Sequence, residues 1–191
     1  MPSEILQFLK SRRSVKPTAM SGPGPSATEI DEMLTIAARV PDHKKLVPWR
    51  FIVFEGEARA KFGDVLADAC AAEEKEPPSP VRLDTERRRF QDAPLVIGVV
   101  SRVVQTPGAP EWEQILSSGA AAFNLCLAAN AMGYVSNWLT GWYAYSPRVK
   151  AALHLQANER ITGFVYIGRA KEPTPDRDRP ELTNIVTRWQ G

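Results

Sequence analysis

The 191-residue sequence is poor in the residues that carry soft-metal and disulfide chemistry. It contains two cysteines and two histidines, and Cys70 and Cys126 form neither a CxxC pair nor a disulfide framework. A zinc site needs about four such ligands, so we expect no metal centre. Cysteines without a disulfide pattern are typical of a reducing compartment, and we expect a cytoplasmic protein.

The sequence also lacks a membrane span, a secretory signal and an excess of one charge. No stretch approaches the roughly 20 apolar residues of a transmembrane helix, and Glu4 interrupts the N-terminus. The 24 Lys and Arg residues are nearly balanced by 22 Asp and Glu residues, whereas nucleic-acid binding normally requires a basic face. We therefore expect neither a membrane nor a nucleic acid among the partners.

Three common catalytic signatures are missing as well. The chain has no GxGxxG, no GxxxxGK[ST] and no GxSxG, which argues against a dinucleotide fingerprint, a P-loop and a nucleophile elbow. A protein without catalytic residues in a recognisable pattern can take its chemistry from a cofactor.

What the sequence does contain is an irregular alternation of helical and strand patterns within one predicted domain, 1–191. Helices are predicted over 3–10, from a Thr28 N-cap to Pro41, and over 57–72, 81–91, 111–133 and 146–153. Strands are predicted over 50–56, 93–101, 134–142 and 161–168.

Two apolar segments are unusual for a free chain. The second half of helix 111–133 is apolar or small on nearly all sides, which implies burial either in a central layer or against another subunit. The proline-rich tail ends in the apolar stretch IVTRW, 185–189, which is too apolar for a free end.

A cluster of cations is the most distinctive polar feature. Lys10, Arg12, Arg13 and Lys16 fall within seven positions, together with Ser14. Guanidinium groups and a hydroxyl are the donors that a phosphate prefers. The alternative is a solvated basic helix end, which the helix dipole also favours.

Four segments, in order, resemble the nitroreductase family of FMN-dependent oxidoreductases. They are RRSVK (12–16), ARVPDHKKLVPWRFIVFEG (38–56), GAAAFNLCLAANAMGYVSNWLTG (119–141) and FVYIGRAKEP (164–173). The resemblance runs from about residue 4 to residue 189. It is closest to the small single-domain branch that carries PDHK before a PW pair.

The resemblance implies an α+β fold, a three-layer sandwich with a central, mostly antiparallel sheet flanked by helices. It also implies an intertwined homodimer with FMN at the interface. The segment 170–191 is then a C-terminal arm that packs on the partner subunit.

The resemblance implies cofactor contacts in three further places besides the cation cluster. In the cluster, Arg12 and Ser14 hold the FMN phosphate, with Arg13 between them, and Lys16 approaches the flavin ring. The other implied contacts are Arg39, His43 and Lys45 in the PDHK loop, Trp138, Leu139 and Thr140 at a strand end, and Arg177 and Arg179 in the tail.

Each of these contacts has a simpler alternative. His43 and Lys45 can be solvated surface residues, and Trp138 and Leu139 can be plain core. Asp176 and Asp178 can neutralise the tail arginines. The chain also departs from the wider family at Lys45 and Val47, where an asparagine and a glutamine otherwise bond the flavin.

The implied activity is hydride transfer from NAD(P)H to flavin N5 and then to an electron-poor acceptor such as a nitroaromatic or a quinone. Two alternatives remain open. One is another chemistry on the same scaffold, and the other is a flavin-free binding protein that keeps the dimer.

Overall fold

The computed structural model describes residues 2–191. Its helices are α1 Pro2–Ser11, α2 Ala27–Ala37, α3 Ala58–Glu73, α4 Pro80–Arg88, α5 Glu111–Ala131 and α6 Pro147–Ala152. Its strands are β1 Met20–Ser21, β2 Trp49–Phe54, β3 Leu95–Arg102, β4 Val135–Leu139 and β5 Glu159–Ala170.

The strands form one antiparallel sheet in which β5 is the central element. β3 lies between β2 and β5. β4 and β1 both pair with β5, with Val135 opposite Gly168 and Met20 opposite Ala170. The predicted antiparallel sheet is confirmed.

Helices cover both faces of the sheet because β3 is apolar on both sides, as its continuous hydrophobic run predicts. Leu95 and Ile97 pack towards α2 and α5, whereas Val96 and Val100 pack towards α3 and α6. The expected three-layer α+β architecture is therefore confirmed. Within residues 2–191, none of the helices is long and apolar enough to cross a membrane.

The start of α2 differs from the prediction. Ser26, not Thr28, is the N-cap: the Ser26 hydroxyl accepts a hydrogen bond from the Glu29 amide, and the Glu29 carboxylate accepts one from the Ser26 amide at 2.8 Å. This reciprocal capping box satisfies two backbone donors at once, which a cap at Thr28 would not do.

Helix α5 lies in an outer layer, so the alternative of a central layer within the chain is wrong. Trp112, Leu116 and Phe123 form a stripe along its outer side and are 67%, 53% and 45% exposed. Apolar side chains of the tail are exposed too, and Trp189 is 88% exposed. Single exposed apolar residues are common, but a stripe on one helix is typical of an interaction surface.

Candidate functional site

The basic segment that follows α1 runs along the free edge of β4. Ser14 forms a parallel bridge with Ser136, and the Val15 amide donates to the Ser136 carbonyl at 3.1 Å. The Asn137 amide group donates to the Val15 carbonyl at 2.9 Å. Val15 is buried, so the extended backbone turns Ser14 and Lys16 towards the surface.

The two neighbouring arginines of this segment have different partners. The Arg12 guanidinium lies over the Phe123 ring at 5.5 Å from its centre, and no carboxylate within residues 2–191 pairs with it. Arg13 instead donates to the Pro175 carbonyl and lies 3.6 Å from Asp176. Arg12 is therefore available to an anion, whereas Arg13 ties the tail to the segment.

A cavity of about 290 Å³ opens beside this segment and collects residues from four parts of the chain. It is lined by Lys16, Pro17, Thr18, Arg89, Asp92, Asn137, Leu139 and Tyr166. Two cations, a carboxyl group, an amide, a phenol and an apolar side chain thus line one space. Burial raises the pKa of the Asp92 carboxyl.

Of the cavity residues, the sequence predicted only Lys16 and Leu139, and Arg89 and Asn137 are the two missed residues that bear most on binding. Asn137 stands directly before Trp138 in the NWLTG stretch, so position was a usable signal. Arg89 ends a run of three arginines, and such a run looks like a solvated helix face.

The PDHK loop is held in an uncommon backbone conformation. Lys44, Lys45 and Val47 have φ angles of 60°, 55° and 48°. Both Asp42 carboxylate oxygens accept backbone amides, from Leu46 and Val47, each at 2.9 Å. A β-branched residue such as Val47 is a genuine outlier at positive φ, and such strain is found mainly at functional sites.

His43 and Arg39 lie along α5. The His43 Nδ1 atom is 2.7 Å from the Glu113 carboxylate, so His43 has a protein partner rather than solvent alone. The exposed Arg39 has its carbonyl 3.4 Å from the Asn124 amide group. Glu113, which holds His43, and Phe123, which holds Arg12, are ten residues apart in α5, about 15 Å along the helix.

The end of β4 presents its side chains to opposite faces of the sheet. Trp138 lies towards Gly119 of α5, and its indole N–H donates to the Thr162 carbonyl of β5 at 3.2 Å. Leu139 lines the cavity with Lys16, and Thr140 is exposed just beyond the strand. Glycine is required at position 163, beside the Trp138 indole, because a Cβ there would lie 1.9 Å from the indole nitrogen.

The two tail arginines lie beside Asp176. Its carboxylate accepts the Arg177 backbone amide at 2.8 Å and the Arg179 guanidinium at 3.2 Å. The Arg179 charge is therefore partly neutralised by Asp176 in the single chain, in agreement with the alternative that the aspartates neutralise the tail arginines. Because Arg13 binds the same stretch, the tail begins next to the basic segment.

Comparisons with known proteins agree with this architecture. The model of the Nitroreductase family matches residues 9–169. The "Putative NAD(P)H nitroreductase YdjA" of Escherichia coli K12 is 33% identical over 185 residues, which covers 96% of this chain and 98% of YdjA.

Two solved structures show the same fold. A nitroreductase-like protein from Bacillus cereus has a TM-score of 0.85 at 24% identity, covering 98% of this chain and 96% of its own. The FMN- and NADPH-dependent nitroreductase NfnB from a Sphingopyxis strain, solved as a point variant, has a TM-score of 0.71 at 21% identity and covers 97% and 98%. The family match spans more than half of the chain, and the chain belongs to the Nitroreductase family.

Proposed function

We propose that this chain is an FMN-dependent oxidoreductase that moves hydride from NAD(P)H to an electron-poor acceptor such as a nitroaromatic or a quinone. Membership of the family makes it an oxidoreductase. The observation that supports the FMN site is the cavity that Lys16 and Arg89 both line, beside the segment that carries Arg12 and Ser14.

The residues present fit the two ends of FMN. Arg12 has no acidic partner within residues 2–191, and with the Ser14 hydroxyl it would hold the phosphate. Lys16 and Arg89 would face the N1–C2=O edge of the ring, and Leu139 would form an apolar wall.

Bound FMN would supply the hydride-accepting ring, which this chain does not itself provide. Lys16 and Arg89 would stabilise the negative charge of the reduced ring. Leu139 and the buried strand behind it would keep water from one face. No side chain is required as a nucleophile.

We further propose that the working unit is a homodimer, in which the arm 170–191 packs on the partner. The exposed stripe of α5 supports this proposal, as do the exposed Ile185, Val186 and Trp189 of the tail. A mostly apolar cavity of about 560 Å³ continues the same surface between α5 and β5. His43 and Arg12 contact α5 about 15 Å apart along the helix, so His43 would reach the ring from the second copy.

Names of the relatives support the co-substrate. NfnB is described as an FMN- and NADPH-dependent nitroreductase, and YdjA carries the name "Putative NAD(P)H nitroreductase". For this chain we propose a nicotinamide nucleotide as the hydride donor, without a choice between NADH and NADPH.

The visible spectrum of the purified protein tests the proposal. We expect a yellow protein, or a colourless one that turns yellow with added FMN, and bleaching by NADH or NADPH under anaerobic conditions. Addition of a nitroaromatic or a quinone should restore the colour.

Two results would contradict it. A colourless protein that does not take up FMN would favour the flavin-free binding protein. Bound FMN that neither nucleotide reduces would favour another chemistry on the same scaffold.

A further inference from the structure

Behind Arg89 lies a carboxylate that is completely buried. Glu86, on α4, is 0% exposed. Its two oxygens accept from Nε and from a terminal nitrogen of Arg89, each at 2.6 Å. Arg82, one turn before Glu86, donates to the same carboxylate. Two arginines from one side of the helix thus enclose one buried acid.

Such a cluster is a costly way to stabilise a helix. Removing a carboxylate from water costs several kcal/mol, and apolar residues of similar volume often stabilise a protein as well or better. The remainder of α4 is strongly polar, and Glu86 is its buried residue. A role in fixing the position of a neighbour explains why a charge occupies this place.

The neighbour that Glu86 fixes is Arg89. Its guanidinium is bonded to Glu86 at two points and lies over the Tyr143 ring at 5.3 Å. The Tyr143 hydroxyl is 3.3 Å from the Tyr166 hydroxyl, and Tyr166 lines the cavity together with Arg89 and Lys16. The carboxylate and the ring hold the guanidinium at the cavity wall.

We propose that Glu86 is a positioning residue, which acts through Arg89 to hold a second cation beside Lys16 where the pyrimidine edge of the flavin would lie. The proposal rests on the proposed function. Arg82 pairs with Glu74 as well as with Glu86, and Arg89 is the member of this cluster that lines the cavity, so we expect Glu86 to act there through the position of the Arg89 charge. The cation stabilises the anionic reduced ring more than the neutral oxidised ring.

A shorter side chain with the same charge at position 86 distinguishes an effect on the position of Arg89 from an effect of the Glu86 charge itself. Glu86→Asp retains the carboxylate and withdraws it by one methylene. We expect reduced FMN to lose about tenfold more affinity than oxidised FMN, because moving a cation off a developing anion has roughly this effect. The ratio of the affinities for reduced and oxidised FMN is obtained from the midpoint potential of bound FMN. The affinity for oxidised FMN is measured by fluorescence quenching.

Asp84→Asn is the matched control. Asp84 lies on the same helix and pairs with Arg88 at 3.0 Å, but both side chains are more than half exposed. We expect the potential of this variant to stay at the wild-type value. Glu86→Gln adds a test of sign: a purely electrostatic Glu86 would raise the potential when neutralised, whereas a positioning Glu86 lowers it.

The double variant Glu86→Asp/Arg89→Gln shows whether Glu86 acts through Arg89. We expect its potential to equal that of Arg89→Gln alone, since coupled residues are non-additive. If Glu86→Asp does not fold, Glu86→Gln in the presence and absence of Arg89→Gln gives the same comparison.

A failure of the proposed function can be distinguished from a failure of the inference on Glu86. A wild-type protein that binds no FMN overturns the proposed function and this inference with it. A wild-type protein that binds FMN, with an unchanged potential in both Glu86 variants or with equal shifts in Asp84→Asn, overturns the inference alone.

Discussion

Adding one methyl group at Gly63 should displace α4, the helix that carries Glu86 and ends next to Arg89. Gly63 lies in α3, where a Cβ would be 1.9 Å from the Arg87 carbonyl oxygen of α4, although real Cβ contacts stay above about 3.0 Å. The obstacle is backbone, so no side chain can rotate away. In Gly63→Ala, α4 must move until this distance rises from 1.9 Å to at least 3.0 Å.

Two opposing effects determine how much Gly63→Ala changes the free energy of unfolding. Overpacking costs roughly 1–3 kcal/mol, and a backbone clash belongs at the upper end of that range. Replacing glycine by alanine inside a helix recovers about 1 kcal/mol. We therefore expect Gly63→Ala to lower the free energy of unfolding by about 2 kcal/mol. For a chain of this length, this is a fall in Tm of roughly 4–8 °C.

Urea denaturation at fixed protein concentration, followed by circular dichroism, measures this change. Ala71→Gly is the matched control, because Ala71 is an exposed residue of α3 and the variant reports the intrinsic difference between alanine and glycine in that helix. Gly63→Ala should also weaken FMN binding, since α4 carries Glu86. A Gly63→Ala protein that is as stable as wild type, or more stable, would refute the packing of α4 on α3 described above.

Three further changes test other parts of the structure. Arg12→Gln should weaken FMN binding about 10- to 100-fold in a fluorescence titration, because a hydrogen bond from a charged group is worth roughly 1.5–3 kcal/mol; the already paired Arg13→Gln should have a smaller effect, and equal losses would contradict the assignment. Arg50 donates two hydrogen bonds to Glu159, at 2.6 and 2.9 Å, and these lower the pKa of the Glu159 carboxyl. The ionised carboxylate therefore stabilises the fold above the ordinary pKa of 4.5. This stabilisation is lost as the pH falls through the lower pKa of the folded state. Glu159→Gln should cost about 2 kcal/mol at pH 7, the value of a hydrogen bond to a charged group, and should flatten the acid limb of the stability curve; an unchanged limb would contradict the ion pair. Asp42→Ala removes two acceptors from the strained loop and should speed hydrogen exchange of the following amides, while identical protection would show that the loop is held by other contacts.

Much of the fold could be predicted because local patterns and tertiary packing agree. The run 93–101 is apolar without interruption, and the structure buries β3 on both faces. The start of α2 was predicted wrongly because two nearby polar residues can each cap the helix. Thr28 and Ser26 are both acceptable N-caps, and the choice of Ser26 depends on the position of Glu29, three residues later.

The cavity could be predicted only in part, since its two cations differ in sequence context. Lys16 stands in a short cluster with Ser14, next to a strand edge, and the family pattern includes it. Arg89 stands in the run ERRRF, where each arginine has the same local signal. Arg88 is exposed, whereas Arg89 is bonded to a buried acid. Only the packing of α4 on α3 decides which arginine turns inward.

In a single chain the PDHK loop and the basic segment are separate, because they contact different parts of α5. The strained loop is held by Asp42 from within, and His43 is held by Glu113 near the start of α5. Arg12 meets the same helix ten residues later, at Phe123, on the apolar stripe that is left uncovered. A second copy that covers the stripe would bring its own loop to the first chain's basic segment. If the protein is monomeric in solution while it binds FMN, the loop cannot contribute, and the cation cluster and the cavity must hold the cofactor alone.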